Sequence, residues 1–224
     1  MICPVCGNQT IERGEKIICS HFPVCSFQKA MNELKISDAI VFDIETTGTN
    51  NQKGRIIEIG AIKLRNGVVV DEFDVLTNPG KDEFGNQIFI TLKINELTGI
   101  SNDMVEHAIS EKEGLEKFIE FCGDIKTVIG QNIISFDIPF VKAAARRNGL
   151  KFQMNEAYDT LRIARSVIPS NKIKDYKQTT LADYYHFSYN AHRALDDVKA
   201  CYRIFEELQK EAKKHGVGIR AQEL

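Results

Sequence analysis

Four of the chain's six cysteines fall within its first 25 residues, at Cys3, Cys6, Cys19 and Cys25. They sit in a turn-rich stretch, MICPVCGNQTIERGEKIICSHFPVCSFQ, that is too short to bury a core of its own. Segments of that size fold when a metal or disulfides staple them. The chain starts without a basic, apolar secretory leader and carries no apolar run near the roughly 18 residues that span a bilayer. A cytoplasmic protein is therefore expected, and in that compartment clustered cysteines read as metal ligands. The pairs Cys3-x2-Cys6 and Cys19-x5-Cys25, separated by a hairpin-length segment, can enclose one structural Zn²⁺ with no open position. His21 is an alternative to Cys25 as the fourth ligand. The expected organisation is a zinc ribbon over 1–28, a polar connector over 29–37, a main domain over 38–214 and a tail over 215–224.

The main domain reads as α/β. Residues 39–44 form an apolar run suited to a buried strand, and residues 55–64 and 68–76 are β-branched strands joined by Asn66-Gly67, a strong hairpin signal. Helical patterns cover 114–122, 138–147, 160–166 and 194–214, with a short strand over 127–129. That order predicts a mixed sheet with helices packed against it. Of the 224 residues, 43% are hydrophobic and 27% charged, as in an ordinary globule. The net charge of −2 argues against binding long duplex nucleic acid through its phosphates and leaves a local, metal-centred site open.

Phe42-Asp43-Ile44-Glu45-Thr46-Thr47-Gly48 ends the first strand of this domain. Alternation puts Ile40, Phe42 and Ile44 on one face and Val41, Asp43 and Glu45 on the other. Two carboxylates about 7 Å apart along a strand rising ~3.3 Å per residue can converge on one cation, although two solvated acids at a strand end would look the same. Asp137 begins a helix whose spacing gives it the face of Phe140, Val141 and Ala144, where it either caps the helix or points inward. Asp197 shares a helix face with Cys201, Ile204 and Leu208, whereas Asp196 is turned about 100° away toward solvent or a cap. His192 precedes that helix on a loop. Four gathered carboxylates repel one another unless cations neutralise them, and an oxygen-rich site of this kind suits Mg²⁺ or Mn²⁺.

FDIETTG, NIISFD and HRALDD, in this order, resemble the three motifs of the DEDDh (DnaQ-like) 3′–5′ exonucleases. That family includes polymerase proofreading subunits, ribonuclease T and oligoribonuclease. The resemblance spans about Ala39 to Leu208 and implies a ribonuclease H-like domain with a mixed five-stranded sheet. It implies that Asp43, Glu45, Asp137 and Asp197 bind two Mg²⁺ or Mn²⁺ and that His192 is the general base. Asp43 would bridge both ions, Glu45 and Asp197 would hold the ion that carries the attacking water, and Asp137 would act on the second. Thr46, Thr47, Asn132 and Phe136 look like positions lining the terminal nucleotide. Leu97 resembles an apolar wedge against terminal bases, or is an ordinary core leucine. Glu58 would meet the 3′-hydroxyl, or stand on a solvated strand face. Gln131 and Thr98 replace histidines frequent in relatives.

The cysteine segment resembles the zinc ribbons of type IA topoisomerases, which bind single-stranded DNA. Phe22 and Phe27, with Arg13 and Lys16, would supply stacking and phosphate contacts, or the two rings would form the ribbon's small core. Cys122 and Cys201 read as buried apolar residues. The expected function is a metal-dependent 3′–5′ exonuclease on single-stranded DNA ends, with a polymerase or repair complex as a candidate partner and no membrane. The alternatives are an exoribonuclease and a non-catalytic adaptor, the latter predicting a lost acidic motif residue, which this sequence does not show.

Overall fold

A computed structural model describes residues 3, 5–13, 16–26, 28–30 and 36–224. Phe27 and residues 31–35 of the expected connector lie outside these, as do the side chains of Arg13 and Lys16. The cysteine segment forms an antiparallel sheet of β1 (Thr10–Arg13), β2 (Lys16–Cys19) and β3 (Gln28–Ala30). β1 and β2 make the hairpin that separates the cysteine pairs, and β3 extends to Ala30, into the expected connector.

The main domain carries β4 (Ala39–Thr46), β5 (Ile56–Arg65) and β6 (Val68–Asn78), then α1 (Leu92–Thr98) and α2 (Asn102–Glu106). There follow β7 (Ile109–Ser110), α3 (Glu111–Cys122), β8 (Thr127–Gly130), α4 (Asp137–Arg147) and β9 (Glu156–Asp159). The chain ends with α5 (Thr160–Val167), α6 (Gln178–Tyr184), α7 (Ala194–His215) and β10 (Gln222–Glu223). The sheet order is β10-β9-β8-β4-β5-β6-β7. Its body is the expected mixed set of five strands, widened at each edge by a two-residue strand. The hairpin between β5 and β6 turns at Asn66 and Gly67, whose φ angles of 53° and 74° are those a type I′ turn demands. The segment expected as a tail instead returns to the sheet: β10 pairs with β9, and Ile219 is buried.

β4 runs through the middle of the sheet, and its alternation divides the core. Ile40, Phe42 and Ile44 pack with Leu115, Phe118, Phe140 and Val141 of α3 and α4. Ala39 and Val41 pack with Ile163, Leu181, Val198 and Phe205 of α5, α6 and α7 on the opposite face. Cys122 and Cys201 are buried in these two layers, as expected. Among the described residues no helix is long and apolar enough to cross a membrane.

Candidate active site

Asp43 and Glu45 emerge from β4 on the face that α7 covers, as strand alternation requires. α7 begins with Ala194 packed onto β5, because Gly60 opposite Asp43 has no side chain to hold it away. A Cβ on Gly60 would lie 2.4 Å from both Ala194 C and Leu195 N. Backbone cannot yield as a flexible side chain would. Gly60→Ala is therefore expected to lift the start of α7 and to cost about 1–3 kcal/mol of stability, read by chemical denaturation. An unchanged midpoint would contradict this docking.

The docking brings Asp197 to the strand acids. One carboxylate oxygen from each of Asp43, Glu45 and Asp197 lies within 4.8 Å of the others. Asp137 reaches the same strand end by another route. β8 pairs with β4 only at Ile40 and Val41, so the Ile44 N–H is free of the ladder and donates to Asp137 Oδ1 at 3.2 Å. The expected alternative of a capping role for Asp137 is thus replaced by a bond into the sheet.

The acids perturb one another. Burial first, then Asp137, Asp197 and Glu45, hold the Asp43 carboxyl well above its ordinary range. Glu45 is pushed up to about 8 by burial and by the charges of Asp197 and Glu58. Burial also raises Asp137 and Asp197. Such a cluster is stable as carboxylates only when positive charge joins it. Oxygen donors alone, closely grouped and partly open to solvent, fit a hard divalent cation.

His192 is exposed on the loop before α7, with φ at 69°, and its N–H donates to Asp197 Oδ2 at 2.7 Å. Arg193 Nη2 pairs with Glu58 Oε1 at 2.8 Å, while the Ala194 N–H donates to Glu58 Oε2 at 2.9 Å. Glu58 is fully buried, so the solvated strand face is excluded; its two oxygens cap α7 and anchor the His192 loop. Sequence reading did not find Arg193, although a lone acid in an apolar strand called for a cationic partner.

Thr46 and Thr47 shape the turn after β4: the Thr46 hydroxyl donates to Gly48 O at 2.9 Å, and Thr47 Oγ1 accepts from Arg55 N at 3.0 Å. Asn132 has a φ of 56°, and its N–H donates to Asp159 Oδ1 at 3.1 Å. Asp159, an unanticipated buried acid, also accepts from Ile134 N and caps α5 through Leu161 N. Phe136 leans on Phe140 with ring centres 5.6 Å apart. Leu97 is 49% exposed on α1, which excludes the core reading. Thr98 is turned inward onto Ile94 O, and Gln131 Nε2 holds Tyr176 O at 2.8 Å. Two further residues were missed from sequence: Gln178 bonds directly to Asp197, and Tyr189 Oη accepts from the same Gln178 nitrogen at 3.2 Å.

In the ribbon, the four sulfurs of Cys3, Cys6, Cys19 and Cys25 lie within 4.8 Å of one another, without His21. Cys3, Cys19 and Cys25 form one buried cluster, and Ile18 is also buried. Phe22 is 42% exposed, so it is not the core residue it could have been. Hydrogen bonds from Asn8 bring the Cys6 thiol down to about 6. Cys19 accepts the His21 N–H, yet its burial and its neighbouring sulfurs push it up to about 12.

A mixed sheet presenting four acids at the end of its central strand defines a carboxylate-centred domain of the ribonuclease H-like class. The pattern of the RNase T exonucleases matches residues 40–205, and the chain belongs to this exonuclease family. It is 37% identical over 179 residues to the PolC-type DNA polymerase III of Caldanaerobacter subterraneus, covering 80% of this chain and 12% of that protein. It is 34% identical over 182 residues to the DNA polymerase III subunit epsilon of Aquifex aeolicus, covering 80% of this chain and 84% of that one. The chain thus spans about an eighth of the PolC-type relatives and most of the epsilon subunit. Among solved structures, E. coli Exonuclease I in complex with a dT13 oligonucleotide superposes with a TM-score of 0.69 at 17% identity, over 80% of this chain and 42% of that one. Exonuclease X in complex with 5′ overhanging duplex DNA gives 0.55 at 22%, over 81% and 95%. These two likenesses speak to the fold.

Proposed function

We propose that the chain is a metal-dependent 3′–5′ exonuclease that hydrolyses single-stranded DNA ends to nucleoside monophosphates. The convergence of Asp43, Glu45 and Asp197, with Asp137 bonded to the same strand end, carries this reading. These four acids would hold two Mg²⁺ or Mn²⁺. Such ions, when bound, would supply Lewis acidity to the phosphodiester and make water acidic enough to attack at neutral pH. His192, open to solvent and tied to Asp197 through its N–H, is the general base that takes the proton of that water. Glu58 and Arg193 keep its loop against β5.

Thr46, Thr47, Asn132 and Phe136 would line the terminal nucleotide. Leu97, exposed on α1, would meet the terminal bases as an apolar wedge. The ribbon's four thiols would hold one Zn²⁺, and exposed Phe22 would offer a stacking platform for the incoming strand. The single-stranded or overhanging DNA held by the two structural neighbours supports DNA over RNA. The polymerase III relatives support a polymerase complex as partner.

The direct test offers the chain matched 3′-labelled DNA and RNA oligonucleotides with Mg²⁺, with EDTA, and with Mg²⁺ restored. Stepwise shortening of the DNA from its 3′ end, stopped by EDTA and recovered on restoration, is expected. Shortening that survives EDTA would refute the metal site, and faster loss of RNA would reassign the substrate to ribonucleic acid.

A further inference from the structure

Asp197 is held more tightly than its motif requires. Its carboxylate accepts the His192 N–H on Oδ2 at 2.7 Å and a Gln178 Nε2–H on Oδ1 at 2.9 Å. The same Gln178 nitrogen lies 2.9 Å from the Asp197 carbonyl oxygen and 3.2 Å from Tyr189 Oη. Tyr189 therefore meets the group through Gln178, as the acceptor of its amide N–H. Gln178 opens α6, Tyr189 lies on the connection from α6, and Asp197 is in the first turn of α7. The start of α6 and the loop before α7 therefore both bond to one side chain that is 9% exposed. An aspartate in an otherwise apolar layer can turn about two side-chain bonds, and a cation gains most from a carboxylate already fixed in orientation. Hydrogen bonds behind a ligand do this fixing, and losing one typically costs about 10–100-fold in metal affinity or activity.

We propose that Gln178 and Tyr189 are positioning residues that lock Asp197 as a pre-oriented ligand for a divalent cation. The proposal rests on the reading of Asp197 as a metal ligand. Gln178 carries the larger share, because its amide spans the carboxylate and the backbone of the same residue and so restrains the helix turn with the side chain. Tyr189 closes the group from the side of the loop that continues to His192. Neither residue is placed against substrate. Their effect travels only through Asp197.

The test measures Mn²⁺ affinity of the full chain by calorimetry or by the spin-resonance signal of free Mn²⁺, independent of turnover. Gln178→Leu keeps a side chain of similar bulk and removes the donor; Tyr189→Phe preserves the ring and removes the hydroxyl. Circular dichroism and melting establish that each variant is folded. A loss of about 10–100-fold in Mn²⁺ affinity is expected for Gln178→Leu, a smaller loss for Tyr189→Phe, and recovery of kcat at high Mn²⁺ for both. Folded variants with unchanged Mn²⁺ affinity would overturn the proposal. Asp197→Asn separates the two layers: if it also leaves Mn²⁺ affinity unchanged, the metal reading of Asp197 falls and the proposal falls with it. If Asp197→Asn loses binding while Gln178→Leu and Tyr189→Phe keep it, only the positioning role falls.

Discussion

Asp43→Asn is expected to remove nuclease turnover and, at the same time, to make the metal-free protein more stable. If Asp43 is shared by two cations, its loss would remove several kcal/mol of transition-state stabilisation, and at 1.36 kcal/mol per factor of ten the rate would fall by roughly 10³ or more. The stability change runs the other way because the native state strains its acids. Burial and four neighbouring carboxyls raise Asp43, and Glu45 is pushed up to about 8. In the unfolded chain both would titrate near about 4. Between those values the native state holds protons that the unfolded state has released, so stability falls as pH rises from about 4 toward 8. The amide that replaces the Asp43 carboxyl neither ionises nor repels Glu45 and Asp197. At pH 8 without metal the variant should gain about 2 kcal/mol, a melting shift of about 4–8 °C for a chain of this size, with a shallower dependence on pH. Mn²⁺ should raise the melting point of the unaltered chain at pH 8 and have little effect on the variant. A variant that melts lower at every pH would show that the acids are not in conflict in the native fold.

The strand that carries this conflict is legible in the sequence alone. β4 is readable because a buried strand must alternate, which places Asp43 and Glu45 together opposite Phe42 and Ile44. The turn at Asn66-Gly67 is readable because few dipeptides accept two positive φ angles. α7 is readable from its apolar stripe through Val198, Cys201, Phe205 and Leu208. What stays hidden lies in short elements and distant partners. β9 is four residues with an acid at each end, and α6 is seven residues, too little for a period to show. Asp159 supports Asn132 across 27 positions, Gln178 supports Asp197 across 19, and Arg193 reaches Glu58 across 135. Hydrogen bonds at such separations leave no local pattern, so the acids that gather at the strand end can be named from the chain and their supports cannot. Leu97 and Phe22 are ambiguous for a related reason: an apolar residue in sequence carries no sign of which way it faces.

Cys19→Ser is expected to unfold the ribbon while leaving the exonuclease body intact. Cys19 is fully buried with its sulfur 3.4 Å from that of Cys6, in a module whose buried residues, among those described, are chiefly cysteines. The thiols face the same conflict as the carboxylates: Cys6 releases its proton readily, whereas Cys19 at about 12 keeps it. A cation would allow all four to become thiolates together, and a structural zinc held there would contribute about 10–16 kcal/mol of folding free energy at pH 7. Serine is a poor replacement ligand, so nearly all of that would be forfeited. The body keeps its own two-layer core around β4 and does not depend on the sulfurs. Native mass spectrometry should find one zinc per unaltered chain and none in the variant. Amide spectra should lose the dispersed signals of the ribbon and keep those of the main domain. Affinity for single-stranded DNA should fall about tenfold, the worth of one lost base-stacking contact, while kcat on saturating oligonucleotide changes little. Zinc retained at one per chain in Cys19→Ser would refute the four-sulfur site. Zinc lost with DNA affinity unchanged would instead assign the ribbon to a protein partner.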